Sequence, residues 1–150
     1  MNVERMKGKR LGEVLTSMGI ITTNQLREVL SVQKKTSLPL GKILVSLGYT
    51  DEEVILSLLG KFLNAPFIRL SEVDEIDYSL VNTLPKDMLI EELVFPVRKE
   101  ENLLIVAMAD PRNIELIQKL ESMFGMKIKA YIASESEIKN MVERMHIGRA

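Results

Sequence analysis

Residues 10–33 read RLGEVLTSMGIITTNQLREVLSVQ, and the same pattern returns at residues 39–62 as PLGKILVSLGYTDEEVILSLLGKF. The offset is 29 residues, and it superposes Leu11 on Leu40, Gly12 on Gly41, Leu15 on Leu44, Ser17 on Ser46, Gly19 on Gly48 and Leu30 on Leu59, with Leu26 replaced conservatively by Ile55. Each copy has the signals of a short helix, a glycine stop, a polar cap and a longer helix with leucines at i and i+4. The pattern therefore predicts two consecutive helical hairpins.

Two hairpins supply four helices, and one hairpin alone cannot bury its own apolar stripe, so we expect the copies to pack on each other. The glycine of each Leu-Gly pair, Gly12 and Gly41, needs a separate explanation. Glycine in a helix costs roughly 0.5–1 kcal/mol relative to alanine, so a repeated one indicates that something approaches the backbone closely. The sequence leaves both a neighbouring helix and a ligand as candidates.

The character of the chain changes at about residue 65, which predicts two lobes, residues 1–64 and 65–150. The second lobe is predicted to contain, in chain order, a strand at 67–70, a β-hairpin of 93–98 and 103–108 around the turn 99–102, a helix capped by Asp110 with apolar positions Ile114, Ile117, Leu120 and Phe124, a strand at 127–132 and a helix capped by Ser134. The predicted fold class is α+β: an N-terminal four-helix lobe made of two tandem helical hairpins, and a small C-terminal α+β lobe with a three-stranded core.

Composition narrows the class of protein. The chain has 150 residues, of which 46% are hydrophobic and 27% charged, as in ordinary globular domains. Its 20 basic and 21 acidic residues leave a net charge of −1, so we expect no nucleic-acid partner. No apolar run reaches the roughly 20 residues of a membrane span, and residues 1–9 lack the apolar core of a signal peptide. The sequence thus predicts a cytoplasmic chain without direct membrane insertion.

Residue patterns for catalysis are missing. The only histidine, His146, lies near the end of the chain, which excludes histidine-based triads and two-histidine metal sites. Cysteine is absent, so thiolate metal sites are excluded as well. The Gly-Lys pairs at 8–9, 41–42 and 60–61 lack the following serine or threonine of a P-loop. We therefore expect neither an enzyme nor a metal site.

The doubled pattern resembles the 24-residue motif of the MshEN domain, the N-terminal part of type II secretion and type IV pilus assembly ATPases. Members of that family carry two motifs separated by five residues, here residues 10–33, 34–38 and 39–62. The likeness in the first motif is carried by Arg10, Leu11, Gly12, Leu15, Gly19, Ile21, Leu26, Leu30 and Gln33. The second lobe also resembles the family, at residues 65–68 and 106–111.

This resemblance implies a regulatory domain that binds cyclic-di-GMP and acts with a secretion or pilus ATPase and its inner-membrane platform protein. Carried over position by position, the ligand-binding residues are Arg10, Leu11, Gly12, Leu26, Leu30 and Gln33 in the first motif, Leu40, Gly41, Ile55 and Leu59 in the second, and Asp110 in the second lobe. The chemistry agrees with a cyclic dinucleotide. Backbone amides at helix starts suit phosphates, arginine suits guanine, and leucines offer apolar surface to purine rings.

The second motif departs from the family at both ends. Pro39 stands where a basic residue is common, and Phe62 stands where glutamine is expected. We therefore expect the first motif to carry the polar readout, while the second supplies mainly backbone amides and apolar contact, and Pro39 itself should contribute little. The alternative is a nucleotide-free docking domain that couples a secretion or pilus ATPase to its inner-membrane platform.

Overall fold

The structure, a computed structural model, describes residues 11–146. Contacts within the chain divide it into two compact units, of which the first ends at Leu59 and the second begins at Gly60. We call them unit 1 and unit 2. The predicted lobe boundary after residue 64 lies a few residues further along the chain, and it stays a prediction.

Unit 1 is helical wherever it is described. Its elements are helix α1 (residues 11–17), helix α2 (Thr23–Thr36), helix α3 (Leu40–Ser46) and helix α4 (Glu52–Leu63), whose last turn belongs to unit 2. No strand interrupts residues 11–60. The predicted pair of helical hairpins is confirmed.

The repeat extends to individual hydrogen bonds. Gly19 and Gly48 follow the first helix of each hairpin, and both have φ of 75°, which is why glycine recurs there. The bonds related by 29 residues are Ile20 N–H to Leu15 O and Tyr49 N–H to Leu44 O, both 3.0 Å, and Ser17 Oγ to Val14 O and Ser46 Oγ to Ile43 O, both 2.9 Å. The two copies therefore share one backbone conformation at the turn.

The second helix of each hairpin has a side-chain cap at the same repeat position. Thr22 accepts the Gln25 N–H at 3.1 Å, and the Gln25 side chain accepts the Thr22 N–H at 2.9 Å, which completes a capping box. In the second copy the Asp51 carboxylate accepts the Val54 N–H at 3.0 Å. The sequence predicts Thr50 as this cap, and that prediction is wrong, because the carboxylate one residue later reaches this amide.

Unit 2 is built around a three-stranded sheet. Its elements are a 3-10 turn (Leu70–Glu72), α5 (Tyr78–Val81), α6 (Lys86–Glu92), β1 (Val94–Glu100), β2 (Leu103–Met108), α7 (Ile114–Phe124), β3 (Lys127–Ile132) and α8 (Glu135–Met145). Strand order is β1-β2-β3, with β1 antiparallel and β3 parallel to β2. The central strand β2 is buried from Leu104 to Met108. The predicted α+β fold class is confirmed.

Two predictions about the strands need correction. The predicted strand at residues 67–70 is wrong, because only Phe67 forms a bridge, parallel to Ile132, before the chain turns at Leu70. Glu137 holds that turn by accepting the Leu70 N–H at 2.5 Å. The predicted hairpin turn of residues 99–102 is shorter than expected, since β1 continues to Glu100 and pairs with Leu103.

The predicted cap of α7 is also wrong. Helix α7 begins at Ile114, and Asn113 caps it by accepting the Leu116 N–H at 3.1 Å. Asp110 precedes that point, and its carboxylate accepts the Arg112 N–H at 3.0 Å and the Arg112 Nη2 at 2.8 Å. Ile114, which the sequence places on the apolar face, is the first residue of the helix and is 63% exposed.

Candidate functional site

The two Leu-Gly pairs pack against the second helix of their own hairpin. A Cβ atom added to Gly12 would lie 2.5 Å from Leu26 Cδ1, and one added to Gly41 would lie 2.7 Å from Ile55 Cγ2. Both distances are below the 3.0 Å that real Cβ atoms keep. Leu26 and Ile55 occupy the same repeat position, so the close neighbour that the sequence left open is a side chain of the adjacent helix.

The apolar motif residues fall into two groups. Leu11 and Leu40 are 2% and 3% exposed and belong to the core of unit 1, and Ile55 is 5% exposed. Half-buried side chains that pack against this core and keep some surface form the second group: Leu26, Leu30 and Leu59. Apolar contact with a ligand in the present conformation therefore depends on the second group, whereas the first group shapes the unit.

Gln33 lies at the end of the first motif, half-buried, and its side chain reaches the linker. The amide Nε2 donates to the Leu38 carbonyl at 3.2 Å. Along the backbone, the Ser37 N–H donates to the Gln33 carbonyl at 2.8 Å and ends helix α2. The structure thus joins Gln33 to the residue that precedes the second motif.

Two of the predicted site residues are not placed with the motif residues of unit 1. Arg10 lies outside the described residues. Asp110 belongs to unit 2, where its carboxylate is held by Arg112. The motif residues of unit 1 from Leu11 to Leu59 remain the candidate ligand-binding site, and their roles toward a ligand stay a prediction.

A hydrogen bond between the two hairpins was missed by the sequence analysis. The Tyr49 hydroxyl donates to Glu28 Oε2 at 2.6 Å, across 21 residues of chain. One sequence feature points to this bond: Tyr49, which carries a hydroxyl group, stands where the first copy has the apolar Ile20. This bond links helix α2 to the turn that follows α3.

The stabilisation that the Tyr49–Glu28 bond provides should depend on pH. Hydrogen bonding to Glu28, followed by burial and the charge of Glu28, raises the pKa of Tyr49 above its ordinary value of about 10. Because the neutral hydroxyl is the form that donates, the stabilisation is full below about pH 10 and is lost as pH rises through the higher folded-state pKa. The pKa of Tyr49 is measured as the difference between the phenolate absorbance titrations of the wild type and of Tyr49→Phe. In a Glu28→Gln background the same difference titration should move to lower pH; an unchanged midpoint would contradict the assignment.

The chain is of the α+β class: its helical unit repeats one hairpin, and its second unit carries a three-stranded mixed sheet. The MshEN domain model matches residues 63–149, more than half of the chain. The chain belongs to the MshEN domain family. This match lies entirely in unit 2, whereas the doubled motif lies in residues 10–62.

Two related proteins support this assignment. The chain is 34% identical over 137 residues to the type IV pilus assembly ATPase PilB of Myxococcus xanthus, and 29% identical over 138 residues to PilB of Thermus thermophilus. Each match covers 91% of this chain but only 24% and 15% of the two relatives. The chain therefore spans about a quarter or less of the length of these ATPases.

Solved structures share the fold. A structure of MshE with cdg has a TM-score of 0.76 and 28% identity, and the match covers 91% of this chain and 98% of that one. Two crystal forms of the N-terminal domain of XpsE match with TM-scores of 0.65 and 0.56 at 17% and 19% identity, each covering 97% of this chain and 98% of the other, and they support the fold alone.

Two features are absent from residues 11–146. None of the helices there has the length and hydropathy of a membrane span. No cluster of three or more histidine, aspartate or glutamate side chains in the same range could hold a metal ion.

Proposed function

We infer that this chain is a regulatory domain of a type IV pilus or type II secretion ATPase system and that it binds cyclic-di-GMP through its two tandem motifs. The likeness to MshE, solved with cdg, the abbreviation of cyclic-di-GMP, is the observation that carries the proposal. At 28% identity over 91% of this chain, it covers both the repeat and the sheet-containing unit. The likeness to two PilB ATPases supports the assignment to such a system.

The residues of unit 1 fit this ligand in part. The half-buried Leu26, Leu30 and Leu59 keep apolar surface that a purine ring can cover, and Gln33 offers a side-chain amide beside them in sequence. Leu11, Leu40 and Ile55 are core residues, so we assign them the support of the site instead of direct contact in the present conformation. Arg10 keeps its sequence-based role of binding the guanine base.

The test is calorimetric titration of the purified chain with cyclic-di-GMP. We expect saturable binding that is described by one dissociation constant. GTP and cyclic-di-AMP at the same concentrations should bind much more weakly. GTP controls for a nonspecific phosphate site, and cyclic-di-AMP controls for the cyclic backbone without guanine. Absence of heat and of any melting-temperature shift at high micromolar cyclic-di-GMP would reject the proposal.

The second candidate is a docking domain that couples the ATPase to an inner-membrane platform protein without nucleotide. One observation favours it: Met18 and Leu47, which occupy equivalent repeat positions, are 59% and 41% exposed. Exposed apolar residues at matched positions are typical of a contact surface. Replacing both by serine should weaken a complex with the platform protein, which a pull-down with the purified partner measures.

A further inference from the structure

Hydrogen bonds of Ser37 and Leu38 hold the end of the linker between the two motifs. Ser37, in the left-handed conformation with φ of 58°, donates its N–H to the Gln33 carbonyl at 2.8 Å. The Leu38 N–H reaches Thr36 Oγ1 at 3.4 Å, and the Leu38 carbonyl accepts Gln33 Nε2 at 3.2 Å. The last of these bonds ties the final side chain of the first motif to the residue before the second.

Pro39 restricts the carbonyl that accepts this bond. A residue that precedes proline is confined to extended conformations, because the proline ring clashes with the alternatives. Pro39 itself has φ of −59° and ψ of 142° and caps helix α3, whose first residue, Leu40, is buried in the core. The Leu38 carbonyl is therefore limited on its C-terminal side by a rigid residue that leads directly into the buried Leu40 of helix α3.

Unit 2 contains the same arrangement. Pro85 caps helix α6 with φ of −60° and ψ of 137°. The carbonyl of the preceding residue, Leu84, lies 2.8 Å from Nε2 of His146. Pro85 thus forms a matched control for Pro39: an N-cap proline of the same geometry, preceded by a leucine whose carbonyl meets a side-chain nitrogen.

The bond to Leu38 leaves the two ends of the Gln33 amide unequal. Nε2 is engaged by the Leu38 carbonyl, while Oε1 has no hydrogen-bond partner within residues 11–146. We propose that Pro39, acting through the Leu38 carbonyl, orients Gln33 so that its amide oxygen is the end presented to the ligand, and that this orientation favours guanine over adenine. The inference rests on the proposed cyclic-di-GMP site.

The base preference follows from donor and acceptor chemistry. Glutamine recognises adenine with both ends of its amide, since the oxygen accepts from N6 and the nitrogen donates to N7. One of the two Nε2 hydrogens is held on Leu38, which fixes the direction of the amide and so weakens this paired contact. Guanine presents two adjacent donors, N1–H and the N2 amino group, to a single acceptor, so the oxygen alone can serve it. Pro39 acquires a positioning role that its place in the motif did not predict.

The orientation itself can be tested without a ligand. We expect the side-chain amide signals of Gln33, observed by NMR in the ¹⁵N-labelled chain, to move toward those of a free glutamine in Pro39→Ala. The same signals should stay unchanged in Pro85→Ala. If Pro39→Ala leaves them where they are in the wild type, Pro39 does not position Gln33 and the proposal is overturned.

The consequence for binding is tested by a double-mutant cycle. Pro39→Ala should weaken cyclic-di-GMP binding by roughly threefold to tenfold and reduce its preference over cyclic-di-AMP. In a Gln33→Ala background, Pro39→Ala should have no further effect, because its action passes through Gln33. Equal effects in both backgrounds would overturn the proposal.

A third outcome separates this inference from the proposed function. If the wild type binds neither cyclic dinucleotide, the proposed function fails and the base preference fails with it. The positioning of Gln33 by Pro39 is still decided by the NMR comparison, which does not depend on any ligand.

Discussion

Replacing Arg10 by alanine should weaken cyclic-di-GMP binding by roughly tenfold to a hundredfold. A charged hydrogen bond removed from a partly buried site costs about 1.5–3 kcal/mol. Arg10 is the first residue of the first motif, and the second motif has Pro39 at the matching position, so no second arginine can replace it there. Calorimetric titration of the wild type and Arg10→Ala at one salt concentration measures the change.

The control for this variant is Arg27→Ala. Arg27 is exposed on helix α2 of the same hairpin but lies outside the residues carried over from the motif. Removing it takes away the same charge, so any general attraction of the dianionic ligand falls equally in both variants and is screened by salt. If the two variants lose equal affinity, and the loss disappears at high salt, then Arg10 makes no specific contact.

The parts of the fold that the sequence predicted are those set by local chemistry. Gly19 and Gly48 end helices because they take a positive φ, and Ser134 caps helix α8 through its own side chain. Each of these signals lies within a few residues of the structure it determines. The repeat strengthened the prediction, because the same hairpin pattern occurs in both copies of the motif.

The errors arose where a nearby residue or a distant segment decided the outcome. Asp110 followed by proline is a strong helix-start signal, but Arg112 binds its carboxylate and Asn113 caps the helix instead. At residues 67–70 the sequence suggested a strand, yet the segment pairs with β3 only around the Phe67–Ile132 bridge, and the chain turns at Leu70, whose N–H donates to Glu137 of helix α8. Neither pairing is visible in the local sequence.

The candidate site was predictable as a set of positions but not as a surface. Leu11 and Leu26 have equal standing in the motif, although the first is buried in the core and the second is half-buried. Helical periodicity identifies apolar stripes, and it does not state which member of a stripe lies at its edge. The bond from Gln33 to Leu38 likewise depends on the conformation of the linker, which Ser37 sets with its positive φ.

The second large effect is expected at Gly41. Gly41→Ala should lower the free energy of unfolding of the ligand-free chain by about 1–3 kcal/mol, because the new methyl group overlaps Ile55 Cγ2. Gly12→Ala should cost less. Its neighbour is Cδ1 at the end of the Leu26 side chain, which can rotate away, whereas Cγ2 of a β-branched residue is fixed at Cβ. Urea unfolding of the two variants and the wild type measures both values.

Ile55→Ala provides the matched background for this experiment. With the isoleucine side chain truncated, the methyl group of Gly41→Ala no longer has a neighbour to overlap, and the gain of alanine over glycine in a helix, roughly 0.5–1 kcal/mol, should remain. We therefore expect Gly41→Ala to be neutral or stabilising in the Ile55→Ala background and destabilising in the wild type. If instead Gly41→Ala leaves the stability of the ligand-free wild type unchanged and abolishes cyclic-di-GMP binding, the repeated glycine serves the ligand, and its packing against Ile55 is incidental.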